Sequence, residues 1–371
     1  MKMFDSRIIG LALLALVLFG TSKTHAESPR YQIDTLLSGI DSPWSLAFLP
    51  NGDMLITELG GKLRRVQNGQ LNEQPIEGMP EVYFEGQGGL MDVVIDNDFA
   101  RNQRLYLSFS YGDSSGNATR LVSAKLDGNR LQDLQVLFTA TPLKRTPHHY
   151  SGRMVQLQDS SLLLTVGDGF NYREQAQKLD SHLGKIIRIL PNGEVPQNNP
   201  YLGDPKALPE IWSIGHRNAQ AIVAAPDGTI FNNEHGPQGG DEVNIIKPGL
   251  NYGWPVITHG IDYNFASITP FTEYPGMQQP LVDWTPSIAP AGMTYYTGNQ
   301  FSEWQGDLFA VSLAQKSVRR IQLEQNKVVS EQRVFPELDQ RMRDIRTGPD
   351  GALYILTDGK EGELLRISAK Q

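Results

Sequence analysis

The sequence predicts an all-β fold, a six-bladed β-propeller, on three observations. Thirty-six glycines and 23 prolines punctuate the 371 residues, and short apolar strings stand where an α-rich chain would carry long stretches at helical spacing. The pairs Asn68-Gly69, Asp127-Gly128 and Asn192-Gly193 lie between apolar runs, where an Asx-Gly step suits the positive φ of a hairpin turn. Most tellingly, a strand, a turn and a second strand recur along the chain.

Four copies are plain: SLAFLPNGDMLITE (45–58), GRMVQLQDSSLLLTVGD (152–168), QAIVAAPDGTIFNNEHG (220–236) and RDIRTGPDGALYILTD (343–358). Each has an Asx-centred turn and carries an acidic residue at or near the end of its second strand. Looser copies run at 88–110 and 291–312, which makes six. Leu55, Leu105, Leu163, Ile230, Leu308 and Leu353 are then equivalent points, 50, 58, 67, 78 and 45 residues apart, room for a four-stranded sheet plus loops. Six such sheets arranged radially protect their edges by closing on themselves, and the strand near Tyr31–Leu37 is placed to complete the last blade. Two stacked β-sandwiches, the competing arrangement, have no need of one hairpin motif repeated six times.

Ahead of the repeats, Lys2 and Arg7 precede an apolar run from Ile8 to Phe19, followed by Thr24 and Ala26 at the small positions before a cut. This is the layout of a secretory leader, residues 1–26, and the run is shorter than the roughly 20 residues a membrane-spanning helix needs. The expected product is a single propeller domain over 27–371, periplasmic or secreted, with no membrane span. Removing the leader leaves 30 lysines and arginines against 40 acidic residues, a net charge of −10, which disfavours a nucleic-acid partner. There is no cysteine, so neither disulfides nor thiolate chemistry is available.

Polar residues gather at the strand entrances of successive repeats, as a site over the central channel requires. His149, in HHYSGR, precedes one repeat, and Asp168 closes its second strand; a carboxylate there can hold the imidazole tautomer and make a general base. A satisfied structural histidine is the plainer alternative. No GxSxG accompanies the pair, so serine hydrolysis is not favoured. Arg217, beside Asn218, precedes the next repeat and Arg341 and Arg343 the last; taken singly, pairing with local acids at the surface is the plainer reading of each, but three arginine forks on one rim of an acidic protein suit a small polyanion. The segment NNEHGPQGGDEVNIIKPGLNYGWP (232–255) combines an irregular glycine and proline backbone with Asp241, Glu242 and several asparagines, hard oxygen donors of the kind Ca²⁺ prefers; an ordinary acidic turn followed by a packed Tyr252/Trp254 pair is the equal alternative.

Taken together, GQGGL, HHYSGR with GDGFN, GHRNAQ, NEHGPQGGDEVN with NYGWP, and QRMRDIRTGPDG resemble the soluble aldose sugar dehydrogenases that use pyrroloquinoline quinone (PQQ), relatives of soluble glucose dehydrogenase. The likeness runs from about Trp44 to Leu365. It implies a six-bladed propeller that oxidises aldoses at C1 to the lactone. By family position Gln87, Arg217, Asn218, Tyr263, Arg341 and Arg343 hold PQQ, with His235 beside it. The carbonyls of Gly236 and Pro237 are implied ligands of a catalytic Ca²⁺, and Glu242 and Tyr252 of a second, structural one. His149 is implied as the base, Asp168 as its orienter and Arg217 as the stabiliser of charge on the quinone oxygen.

One departure stands out. The family lysine that contacts PQQ is replaced by Ala314, and Lys316 is the nearest substitute, on the same face if the strand continues. The partners expected are an aldose, an electron acceptor the sequence does not identify, and at most a second copy of the chain. A Ca²⁺-dependent lactonase propeller and a non-catalytic binding propeller are the rival readings.

Overall fold

The computed structural model describes residues 30–370, so the expected leader lies outside the described residues. Six antiparallel sheets of four strands make up the structure, one per repeat, and all six points named above fall on the second strand of their sheets. The first blade holds Pro43–Phe48, Met54–Glu58, Lys62–Gln67 and Gln70–Leu71. In the second, Arg104–Asp113, Gly116–Asp127 and Arg130–Thr139 follow the inner strand Leu90–Ile95. The inner strands of the other four are Ser151–Gln156, Ala219–Ala224, Pro290–Tyr295 and Met342–Thr347. Each inner strand packs on those of both neighbouring blades, the last against the first, so the ring is closed. The sixth blade draws its outermost strand from the other end of the chain: Tyr31–Ile40 pairs antiparallel with Gly362–Ala369.

Apolar residues alternate from blade to blade into wedges. Leu55, Leu63, Leu105, Leu107 and Val122 fill the space between blades one and two, for example, all fully buried. Among the described residues, helix is confined to one turn, Phe99–Asn102, and two short 3₁₀ segments.

Two turn expectations change. Asn68-Gly69 forms the expected two-residue turn, both residues at positive φ. In the next, Asp127 pairs with Arg130, so Gly128-Asn129 is the turn and only Gly128 has positive φ. Asn192-Gly193 is no hairpin: it caps Lys185–Ile189 and opens the segment to Ile211.

A regularity invisible in the sequence shapes the centre. Every inner strand has a register shift against its neighbour, at Pro43/Ser45, Leu90/Val93, Ser151/Met154, Ala219/Ala221, Pro290/Met293 and Met342/Asp344. A bulge re-aims its extra residue. Here the residues so displaced include Trp44, Met91, Gln220 and Arg343, and all four line one cavity.

The segment 247–281 is the other irregular feature. It leaves the third strand of blade four, and its Tyr252 N–H reaches the Ile214 carbonyl at the end of blade three's last strand. It thereby carries Trp254 and Tyr263 to the face that bears the polar residues.

Candidate active site

His149 sits in the loop entering blade three with φ of 50°, and Ser151 (58°) and Gly152 (85°) share this left-handed backbone. Non-glycine residues hold such angles only when their surroundings impose them. Here Gln87 accepts the His149 N–H at 2.8 Å, and Gly167 lies so close to the His149 carbonyl that a Cβ would stand 2.2 Å from it.

The imidazole Nδ1 is 2.7 Å from Asp168 Oδ1, both residues buried. Asp168 is fixed by donors on both oxygens: the Phe170 N–H on Oδ1 and Trp254 Nε1–H on Oδ2, each at 2.8 Å. An acceptor-only carboxylate makes Nδ1 the protonated nitrogen and leaves Nε2 a free lone pair. Burial pushes the His149 pKa below the usual histidine range, against the pull of Asp168, so the ring is neutral at pH 7. A neutral, tautomer-fixed imidazole is what a general base needs. Phe170 packs edge-on against His149 at 5.1 Å and against His148 at 5.7 Å, so the first histidine of the pair closes the outer side of that ring.

Arg217 is buried with its charge satisfied by carbonyls rather than acids. Its Nη1 donates to His235 O (3.1 Å) and Gly236 O (2.5 Å), its Nη2 approaches the Tyr263 hydroxyl at 3.4 Å, and its Nε has no partner. His235 donates from Nε2 to Pro290 O at 2.7 Å; burial, with Arg217 and Arg343 nearby, holds its pKa down to about 3.

Arg341 and Arg343 converge on one carboxylate that the sequence reading did not single out. Asp358 accepts from Arg341 Nε at 2.8 Å and from Arg343 Nε and Nη2 at 2.9 and 2.7 Å. Its pKa is low despite burial because of these two cations. One acid between two guanidiniums leaves a positive excess, and among the described residues Arg341 Nη2 and Arg343 Nη1 form no hydrogen bond. The signal was present: Asp358 ends the second strand of its repeat, as Asp168 and Glu234 end theirs.

Glu234 belongs to a chain of contacts also missed. Ser213 Oγ is 2.9 Å from His216 Nε2, His216 Nδ1 is 2.9 Å from Glu234 Oε1, and Glu234 Oε2 accepts the Arg217 N–H at 2.6 Å. The connectivity is that of a hydrolase triad, but Ser213 is fully buried and no substrate reaches it. It serves to fix the Arg217 backbone.

These residues line two cavities. The inner one, about 210 Å³, is walled by Arg341, Arg343, Asn218, Gln87, His235 and the bulge residues. Arg217, Tyr263, Trp254, Phe170 and Pro237 line the outer one, about 260 Å³, where Phe170 and Tyr263 stack at 6.3 Å. Gln87, Asn218, His235, Arg341 and Arg343 thus meet at the inner cavity and Arg217, Tyr263 and Pro237 at the outer one, while Glu242 and Tyr252 lie with Gly236 in a separate small pocket and Lys316 stands apart from all three. The strand stops at Ser312, and Lys316 lies exposed in the turn before Val318 with φ of 50°, so the same-face argument for it fails.

Residues 40–366 match the glucose/sorbosone dehydrogenase family. The chain belongs to this family. It is therefore an oxidoreductase, and the hydrolase and binding alternatives fall away. The aldose sugar dehydrogenase YliI of Escherichia coli is 41% identical over 94% of this chain and 96% of its own length. The crystal structure of the soluble E. coli aldose sugar dehydrogenase in its apo-form superposes with a TM-score of 0.87 at 40% identity, over 92% of this chain and all of that one. The PQQ-bound aldose sugar dehydrogenase of Streptomyces coelicolor has a TM-score of 0.74 at 25% identity, covering 91% of this chain and 98% of that one. Among the described residues no helix is long and apolar enough to cross a membrane.

Proposed function

We propose that this family member oxidises aldoses, glucose and other mono- or disaccharides, at C1 to the aldonolactone with PQQ and Ca²⁺, His149 acting as general base. The observation that carries the reading is the buried His149–Asp168 pair with its tautomer fixed, next to a cavity walled by unspent arginine donors. PQQ carries three carboxylates, and the positive excess left by Arg341, Arg343 and Asp358, with the unpartnered Nε of Arg217, suits such an anion. Gln87, Asn218, His235 and Tyr263 would complete its surroundings. Gly236 and Pro237 would offer carbonyl oxygens to Ca²⁺.

When bound, PQQ supplies the hydride-accepting carbon and Ca²⁺ polarises the adjoining carbonyl. His149 Nε2 removes the proton of the anomeric hydroxyl, and Asp168 supports the imidazolium that results. Arg217 places positive charge where negative charge develops.

A second Ca²⁺ at Glu242 fits the local electrostatics. Burial and the neighbouring Glu234 carboxylate push the Glu242 pKa up, and a divalent cation relieves that repulsion. The Tyr252 hydroxyl is already used in both directions, donating to Ile245 O and accepting the Lys247 N–H, so its main-chain carbonyl is the oxygen left for a metal. The leader reading makes the enzyme periplasmic or secreted.

The test is glucose-dependent dye reduction by cofactor-free protein after adding PQQ and Ca²⁺, with His149→Ala as control. Activity that needs both additions and vanishes in the variant supports the reading. A folded protein that neither binds PQQ nor turns over sugar overturns it.

A further inference from the structure

We infer that Arg153 is a positioning residue that shapes the inner cavity from beneath by gripping the bulged backbone of three blades at once. The inference rests on the reading of that cavity as the cofactor site. Arg153 follows the catalytic loop, on the inner strand of blade three, and is fully buried. Its Nε donates to Gln220 O at 2.8 Å, and its Nη2 donates to Trp44 O at 3.3 Å and Arg343 O at 3.1 Å. The guanidinium lies over the Trp44 ring, 3.8 Å from its centroid.

The three acceptors share a property. Trp44, Gln220 and Arg343 are the residues displaced by the bulges of blades one, four and six, and the side chains of all three line the cavity. A bulge interrupts the ladder and frees a carbonyl that, once buried, needs another donor. Arg153 is that donor three times over, which fixes where the Arg343 fork and the Trp44 ring stand.

Its charge is balanced separately. Nη1 lies 3.1 Å from Asp344 and 3.6 Å from Asp92, and Arg346 reaches the same two acids at 2.9 and 3.1 Å. Two cations thus face two anions in the channel. The planar fork and the charge are therefore separable: lysine keeps the charge, but its compact ammonium lacks the flat fork that lies on the Trp44 ring while reaching carbonyls on three blades.

Arg153→Lys provides the test, read in two ways. Hydrogen exchange of the protein without cofactor is expected to quicken in the peptides covering 43–48, 219–224 and 342–347 and to stay unchanged in the outer strands. Direct PQQ titration is expected to show a dissociation constant raised tenfold or more, with the sugar KM at saturating PQQ unaltered. Should this variant fail to fold, Arg153→Met/Asp344→Asn removes one charge of each sign, leaves Asp92 with Arg346, and is expected to give the same loss of affinity. Wild-type PQQ affinity in either folded variant, or unchanged exchange, overturns the inference. If wild-type protein itself does not bind PQQ, the cofactor reading fails, while the exchange result still decides whether Arg153 holds the three bulges.

Discussion

Replacing Asp168 by asparagine changes one atom and places it among three donors. His149 Nδ1–H and the Phe170 N–H meet Oδ1, and Trp254 Nε1–H meets Oδ2. An asparagine amide offers one acceptor oxygen. If its oxygen faces His149 and Phe170, its NH₂ opposes the indole N–H; if it turns round, the NH₂ opposes His149 and drives the imidazole into the other tautomer, with the proton on Nε2. Either arrangement disfavours the base. Proper general-base catalysis contributes about 10²–10⁴ in rate, so kcat for Asp168→Asn is expected to fall by that range, about 3–5 kcal/mol at 1.4 kcal/mol per tenfold. PQQ affinity is expected to hold, since Asp168 does not line the inner cavity. Stopped-flow reduction of the loaded enzyme by glucose across pH 4–8 measures this. Wild-type activity should fall as pH drops through a His149 pKa below the ordinary 6.5. Loss of the carboxylate removes an influence that raises that pKa, so the variant's acid limb should move lower still. A folded variant within tenfold of wild-type kcat would refute the assignment of the tautomer to Asp168.

Gly167→Ala drives a methyl into the His149 carbonyl and is expected to cut kcat at least tenfold while PQQ still binds; single-turnover kinetics beside a binding titration separates the two. Asp358→Asn releases both arginine forks, and although it adds positive charge the PQQ dissociation constant should rise about tenfold, measured by quenching of intrinsic fluorescence. His235, neutral and near pKa 3 in the fold, should contribute stability above pH 6.5 that is lost as pH falls toward 3, at up to about 1.4 kcal/mol per pH unit. His235→Asn should flatten that part of the stability curve in denaturant titrations.

The blades were legible because burial repeats: Leu55 and its five counterparts are apolar for the same reason, sandwiched between sheets, and a period in cause becomes a period in sequence. The His149–Asp168 pair and the arginines were legible because they occupy equivalent loops. What stayed hidden depends on contacts between distant segments. Trp254 reaches Asp168 only because segment 247–281 climbs between blades, and its residues carry no repeat to align. The bulges need no special residue type: tryptophan, glycine, glutamine and arginine all sit in them. Lys316 was misplaced because strand periodicity was extended across a turn whose left-handed angle falls on an ordinary lysine.

The sixth blade ties synthesis to closure. Its outermost strand, Tyr31–Ile40, is made early but has its ladder partner only in Gly362–Ala369, so for over three hundred residues of translation it carries a row of unmatched amides. A ring of this kind cannot lock part-way through synthesis. Once locked, Tyr31 lies opposite Ala369, so the two strand ends are neighbours in the fold. A short link between them, with new ends opened in the Asn51-Gly52 turn, is expected to give a permuted ring that folds by the same pairings.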